Sequence, residues 1–217
     1  LRRRGATINH LRGNEAAVIL GDYLIASAYH LCSTLQSQRA ALMVGKASMV
    51  MCAGELLQLH HRQDFSLDEA TYFEIVERKT AELIATACEL GARASGGSDQ
   101  IAEKLYRFGR DLGVAFQIQD DLLDLTGEEA VVGKSVGKDL EKGKLTLPLI
   151  SFLSRASALE RGEALRLLSE ASRESRERGE DRGAARSLAR LLEGAGAIAH
   201  AQKVAASFAH DHQPGRK

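Results

Sequence analysis

The chain has 217 residues, 44% of them hydrophobic and 27% charged, a globular composition that argues against disorder and gives one domain enough length to bury a substantial core. Lysine plus arginine (29) equals aspartate plus glutamate (29), so no overall field draws the chain to nucleic acid or an anionic membrane, and any anion site has to be local. No stretch approaches the roughly 18 uninterrupted apolar residues of a membrane span, and LRRRGATINH lacks a signal peptide's apolar core, so a cytoplasmic location without a transmembrane segment is expected.

Only two prolines occur, Pro148 and Pro214, and long stretches keep apolar residues three or four apart, which predicts an almost entirely helical chain without internal repeats. From Asn14 to Gln36, Ala17, Leu20, Leu24, Ala28, Leu31 and Leu35 make one apolar stripe, the pattern of a long core helix. A second helix is predicted from Gln38 to His61. Ser66 followed by Glu69 has the spacing of a capping box and opens a third that runs to Arg93. SGGSD at Ser95 to Asp99 is a break. The next helix, Gln100 to Leu125, carries Leu105, Phe108, Leu112, Phe116 and Leu123 on its apolar face.

TGEEAVVGKSVGKDLEKGK reads as a Gly- and Lys-rich loop, and Leu145 to Phe152 as a helix whose first turn accommodates Pro148. RESRERGEDRG, Arg173 to Gly183, is a charge-dense run expected to form a solvated helix end and loop. A final Ala-rich helix is predicted from Ala184 to Ala209. Cys32, Cys52 and Cys88 are odd in number, lack metal-site spacing and sit among Ala, Leu and Met, so buried reduced thiols are expected.

Asp120, Asp121 and Asp124 concentrate negative charge. At i, i+1 and i+4, Asp120 and Asp124 stack on one helix face with Asp121 beside them, and the next charges are Glu128 and Glu129, which relieve nothing. One reading is an exposed acidic face near a helix C-terminus. The other is a magnesium site, because that ion takes one or two carboxylates, keeps waters and completes its shell with phosphate oxygens. The following loop favours the second: Lys134, Lys138, Lys142 and Lys144 alternate with Gly133, Gly137 and Gly143, offering point charges and close backbone approach to a phosphate.

FQIQDDLLD (Phe116 to Asp124) followed by GKSVGKDLEKGKLTLPL resembles the second aspartate-rich motif and downstream loop of the trans-polyprenyl diphosphate synthases, which make farnesyl, geranylgeranyl and longer chains. RRG (Arg3 to Gly5), ILGDYL (Ile19 to Leu24), GELLQ (Gly54 to Gln58) and ERKTAELI (Glu77 to Ile84) resemble the family's other blocks in order, and the likeness is strong from Leu1 to Phe152. The resemblance implies an all-α, isoprenoid-synthase-type helical bundle around a central cavity. It implies one partial domain over residues 1–217, incomplete at the N-terminus and, since the family continues as helix past His210, at the C-terminus as well.

The implied reaction joins an allylic prenyl diphosphate to isopentenyl diphosphate. Magnesium draws off the allylic diphosphate, the isopentenyl double bond attacks the resulting cation, and proton loss leaves a linear product. Carried over by motif, Asp120, Asp121 and Asp124 hold magnesium, Asp120 first among them. Lys79 and Thr80 contact the allylic diphosphate, Gln117 faces the same cavity, and Lys134 and Lys144 are the loop lysines. Arg3 would touch the allylic diphosphate and Arg4 that of isopentenyl diphosphate. Lys79, Gln117 and Lys134 are the groups expected to act in the reaction itself.

Each residue also has a plainer reading. The lysines suit solvated surface, and the arginines alone signify nothing. Asp22 is expected to be a buried, hydrogen-bonded structural residue, Glu55 and Gln58 a polar network, and His60, His61, His210 and His212 surface or tail.

The family's first aspartate-rich motif would precede Leu1, so the chain is expected to be a fragment that binds without turning over. Two other readings stand beside a homodimeric elongating enzyme. One is a non-catalytic subunit of a heteromeric prenyl synthase, and the other is a different class I isoprenoid enzyme such as a cyclase or head-to-head synthase.

Overall fold

Periodic apolar residues with almost no proline leave the backbone little but helix to satisfy its own hydrogen bonds. The computed structural model describes residues 5–126, 144–177 and 183–210, and no strand occurs among them. The helices are α1 (Ile8–Ser33), α2 (Gln38–His60), α3 (Glu69–Val76), α4 (Glu82–Ala94), α5 (Asp99–Thr126), α6 (Leu147–Arg155), α7 (Ala158–Glu177), α8 (Gly183–Gly194) and α9 (Ala197–His210). Between α3 and α4, Glu77–Ala81 form a π-helical turn, and residues 69–94 run on as one rod, as the spacing up to Arg93 predicts.

The core gathers on α6. Every residue from Leu147 to Leu153 is buried, surrounded by Val114, Ile118 and Leu122 of α5, Leu167 and Leu168 of α7, Leu188 and Leu192 of α8, and Ala197 and Ala201 of α9. Each such leucine contributes about 1.5–3 kcal/mol by leaving water. Pro148 occupies the first turn of α6, where its missing N–H costs no helical bond.

Elsewhere close approach replaces bulk. A methyl group on Gly113 of α5 would lie 2.5 Å from Ala81 Cα, one on Gly109 would lie 2.8 Å from Ala85 Cα, and one on Gly54 of α2 would lie 2.7 Å from both Arg78 Cβ and Lys79 N. The π-helical turn is therefore gripped from two sides, by α2 through Gly54 and by α5 through Gly113.

Several expectations are corrected. The cap of α3 is Asp68, whose carboxylate accepts from Thr71 N–H at 2.8 Å; Ser66 instead donates to Asp64 from both its backbone N–H and its hydroxyl. The N-terminal helix begins before Asn14, at Ile8, and changes direction at Gly13, where φ is +83°. The single helix expected over residues 184–209 is two, parted at Gly196 with φ of +72°. The charged run from Arg173 begins as the helix end expected, to Glu177, and residues 178–182 lie outside the described residues.

The largest correction concerns α1. No residue of this helix is buried, and Leu20, Leu24, Leu31 and the following Leu35 are exposed, because among the described residues α1 packs chiefly on α2. The stripe predicted on α5 is likewise exposed at Leu105, Phe108, Leu112, Phe116 and Leu123, while the buried face carries Val114, Ile118 and Leu122 together with small residues and Asp111, Asp121 and Asp124. Asp22 is exposed, Cys52 is exposed, and Cys32 and Cys88 are half-buried. By length and composition, α1 and α2 are also apolar enough to cross a membrane, which a search for uninterrupted apolar runs overlooks; Asp22 lies midway along α1, and Lys46 and Glu55 lie within α2.

Candidate functional site

A cavity of about 190 Å3 opens where α2, the α3–π–α4 rod, α5 and the segment leading into α6 meet. Its lining includes Glu55, Gln58, Lys79, Thr80, Gln117 and Lys144, contributed by sequence blocks as much as 89 residues apart. The doubly gripped π-helical turn sets Lys79 and Thr80 here, and such turns recur at functional sites because they re-aim side chains that a regular helix would carry elsewhere. Lys79 Nζ donates to Gln58 Oε1 at 2.9 Å and pairs with Glu55 Oε2 at 2.7 Å, so Glu55 and Gln58 form the expected polar network, and their network holds a cavity lysine.

Asp121 is the hub of the opposite wall. Its carboxylate is almost wholly buried, at 1% exposure, and it accepts from Lys144 Nζ at 2.7 Å and Gln117 Nε2 at 2.8 Å on Oδ1, and from Tyr72 Oη at 2.9 Å on Oδ2. A buried charge needs this many partners, since an uncompensated one would cost several kcal/mol. The polarity of the network follows. An ionised carboxylate only accepts, so Gln117 must present its amide N–H to Asp121 and its Oε1 elsewhere. That Oε1 accepts from Thr80 Oγ1 at 2.8 Å, which spends the Thr80 hydroxyl proton and leaves the oxygen's lone pairs beside the cavity.

The three aspartates do not form the single patch expected. Asp121 turns inward to Tyr72 and Lys144, Asp124 is also buried, and Asp120 is half-buried. Among the described residues no three acidic, histidine or cysteine side chains converge on one point. Such a donor set fits magnesium in its open form, one or two carboxylates completed by water and phosphate, and does not fit a closed protein cage. Arg3, Arg4 and Lys134 lie outside the described residues, as does His212.

Three contributors escaped the sequence reading. Tyr72 stands two turns ahead of Lys79, the one signal that could have placed it on the same wall. His61, assigned to the surface, lines the cavity, and its Nδ1 lies 2.8 Å from Asp64 Oδ2; Arg62 lines it as well. Hydrogen bonds from Ser66, with the His61 contact, lower the Asp64 carboxyl to about 2. They fix a turn in which Gln63 adopts φ of +62°.

Comparison with known proteins identifies the family and the fold. A family model described as Polyprenyl synthetase matches residues 1–181. The heptaprenyl diphosphate synthase component 2 of Geobacillus stearothermophilus is 41% identical over 154 residues, 71% of this chain and 48% of its own. The octaprenyl diphosphate synthase of Haemophilus influenzae is 37% identical over 158 residues, 73% of this chain and 48% of its own. Among solved structures, a polyprenyl synthase from Caulobacter crescentus, complexed with calcium and isoprenyl diphosphate, superposes with a TM-score of 0.82 at 35% identity, covering 96% of this chain and 62% of that one. The chain thus spans about half the length of these curated relatives.

Proposed function

This chain belongs to the polyprenyl synthetase family, and on that premise we propose that its cavity binds the diphosphate of an allylic substrate for condensation with isopentenyl diphosphate. The observation that carries the reading is the Asp121-centred network, which brings Lys144, Gln117 and Thr80 to the same cavity as Lys79. In the reaction the allylic C–O bond breaks and pyrophosphate leaves. A C–C bond forms from the isopentenyl double bond, and one proton is lost to leave a linear product longer by one isoprene unit.

Each residue has a task that its environment suits. Lys79 and Lys144 supply positive charge to the departing diphosphate, and their present partners Glu55 and Asp121 keep both ammonium groups oriented until it arrives. Thr80 and Gln117 turn electron-rich oxygen toward the positive charge left on carbon. Arg3, Arg4 and Lys134 complete the set by family motif. Asp120, with Asp124 one turn on, is the first choice for holding magnesium, which when bound would neutralise the leaving diphosphate. The calcium and isoprenyl diphosphate named with the Caulobacter relative support a cation and diphosphate together in this fold.

The exposed apolar faces of α1 and α2 support association with a second copy. The relative named as component 2 of a heptaprenyl synthase favours, as the second reading, one subunit of a heteromer. Calorimetric titration of the chain with pyrophosphate, with and without magnesium, tests the binding. We expect magnesium-dependent affinity that falls at least tenfold in Lys144→Ala; no magnesium-dependent binding would overturn the proposal. In the protein that carries this chain, linear prenyl diphosphates are the expected products, and hydrocarbons or alcohols would point to a cyclase or head-to-head enzyme.

A further inference from the structure

Asp121 uses its two oxygens differently. Oδ1 holds Lys144 and Gln117, whereas Oδ2 is held by Tyr72, which also lines the cavity and comes from a different helix 49 residues earlier. A carboxylate can rotate about its Cβ–Cγ bond, a broad torsion that exchanges or tilts the oxygens. Rotation here would draw Oδ1 away from two donors at once. The Tyr72 ring cannot follow such a motion: it is 2% exposed, its edge packs on Phe73 at 5.5 Å between centroids, and Phe73 leans on Phe208 of α9.

We propose that Tyr72 is a positioning residue for the cavity: its hydroxyl pins Oδ2 of Asp121, and thereby fixes where Lys144 and Gln117 present themselves to a diphosphate. This rests on the diphosphate reading above. The residue acts at one remove, through Asp121. It also assigns Asp121 a holding role, since a cation on Oδ1 would displace Lys144 or Gln117, and leaves direct ligation to Asp120.

Tyr72→Phe keeps the ring and its packing and deletes only the hydroxyl. Titration with pyrophosphate and magnesium at 20 °C, well below the melting transition, reads geometry rather than stability, because nearly all molecules are then folded. The expected result is an affinity about tenfold weaker, the size of one charge-assisted hydrogen bond, with far-UV circular dichroism unchanged. A second cycle separates positioning from independent contact. In a Lys144→Ala background, Tyr72→Phe should weaken the remaining binding less than twofold, because the group it positions is gone.

Wild-type affinity in Tyr72→Phe overturns the inference and leaves the diphosphate reading intact. Full additivity in the double variant also overturns it, by making Tyr72 an independent contact. Absence of pyrophosphate binding in the unaltered chain sinks the diphosphate reading and this inference with it. Should Tyr72→Phe fail to fold, Asp121→Asn serves in its place, since it keeps the side chain's shape while weakening the hold on Lys144; unchanged affinity there overturns the inference equally.

Discussion

Around the π-helical turn, glycines let three helical segments approach until their backbones touch, whereas the outer faces of α1 and α2 leave leucine, isoleucine and tyrosine side chains in solvent. Apolar content does not explain the difference, since the turn itself is ERKTA and the α5 that encloses it is less apolar than α1. What separates them is partners: the turn is enclosed by α2 and α5, whereas among the described residues α1 packs chiefly on α2. Precision of the site comes from the first region, where a displacement of a few tenths of an ångström is resisted by packed backbone. The second region, exposed among the described residues, tolerates change as it stands.

The contrast can be broken most sharply at Gly113. A valine there has no room against Ala81, and Gly113→Val should cost about 3 kcal/mol or more, read as a lower urea midpoint. A loss under about 0.5 kcal/mol would show that close approach is not what holds the turn.

Acid and base titrations sharpen the same comparison. Asp64, which braces the turn leading to α3, is lowered from 3.8 to about 2. Its folded form therefore binds protons less readily than the unfolded chain, so its contribution is present above pH 3.8 and is lost as pH falls through about 2. Asp64→Asn should flatten that part of the acid limb, and an unchanged limb would remove the bracing role.

Tyr106 of α5 behaves in the opposite sense. Burial, with its hydrogen bond to Glu82 of α4, raises it from 10.0 to about 12. The protonated form is favoured by folding, so this contribution is complete below pH 10 and disappears as pH rises through about 12. In Tyr106→Phe the alkaline decline should start later, as followed by circular dichroism at rising pH.

The smallest effect is expected on α1. Leu24→Ser should alter the stability of the dilute chain by less than about 0.5 kcal/mol, yet lower its self-association in sedimentation experiments. A large stability loss would mean that this face is already covered.

Much of the helix plan was legible, because a 3.6-residue period needs no knowledge of neighbours. Gln38, Asp99 and Thr126 fall within a residue of the predicted limits. Burial was less so: the stripes on α1 and α5 announce that apolar faces want cover without saying what supplies it. Lys79, Lys144 and Gln117 were readable from their blocks, and the structure gathers them with Thr80 on one cavity. Tyr72 was not readable, since its meaning lies in a bond spanning 49 residues, and neither was the inward turn of Asp121, which helical spacing alone leaves beside Asp120. His61 was misjudged because its partner Asp64 supports a turn and has no metal-site pattern.

The chain of hydrogen bonds from Tyr72 through Asp121 and Gln117 to Thr80 has a direction, and one atom type sets it. Asn in place of Asp121 would have nearly the same outline, yet it would have to keep its one oxygen toward Lys144, which can only donate, and turn its NH2 toward the Tyr72 hydroxyl. Gln117 shares that oxygen, so its orientation, and that of the Thr80 hydroxyl beyond it, would then rest on Lys144 staying in place. With a carboxylate neither oxygen can donate, and the orientation needs no such help. In this cavity the choice of carboxylate over amide is one of orientation inherited two residues away, a property carried by hydrogens that the side chain itself does not possess.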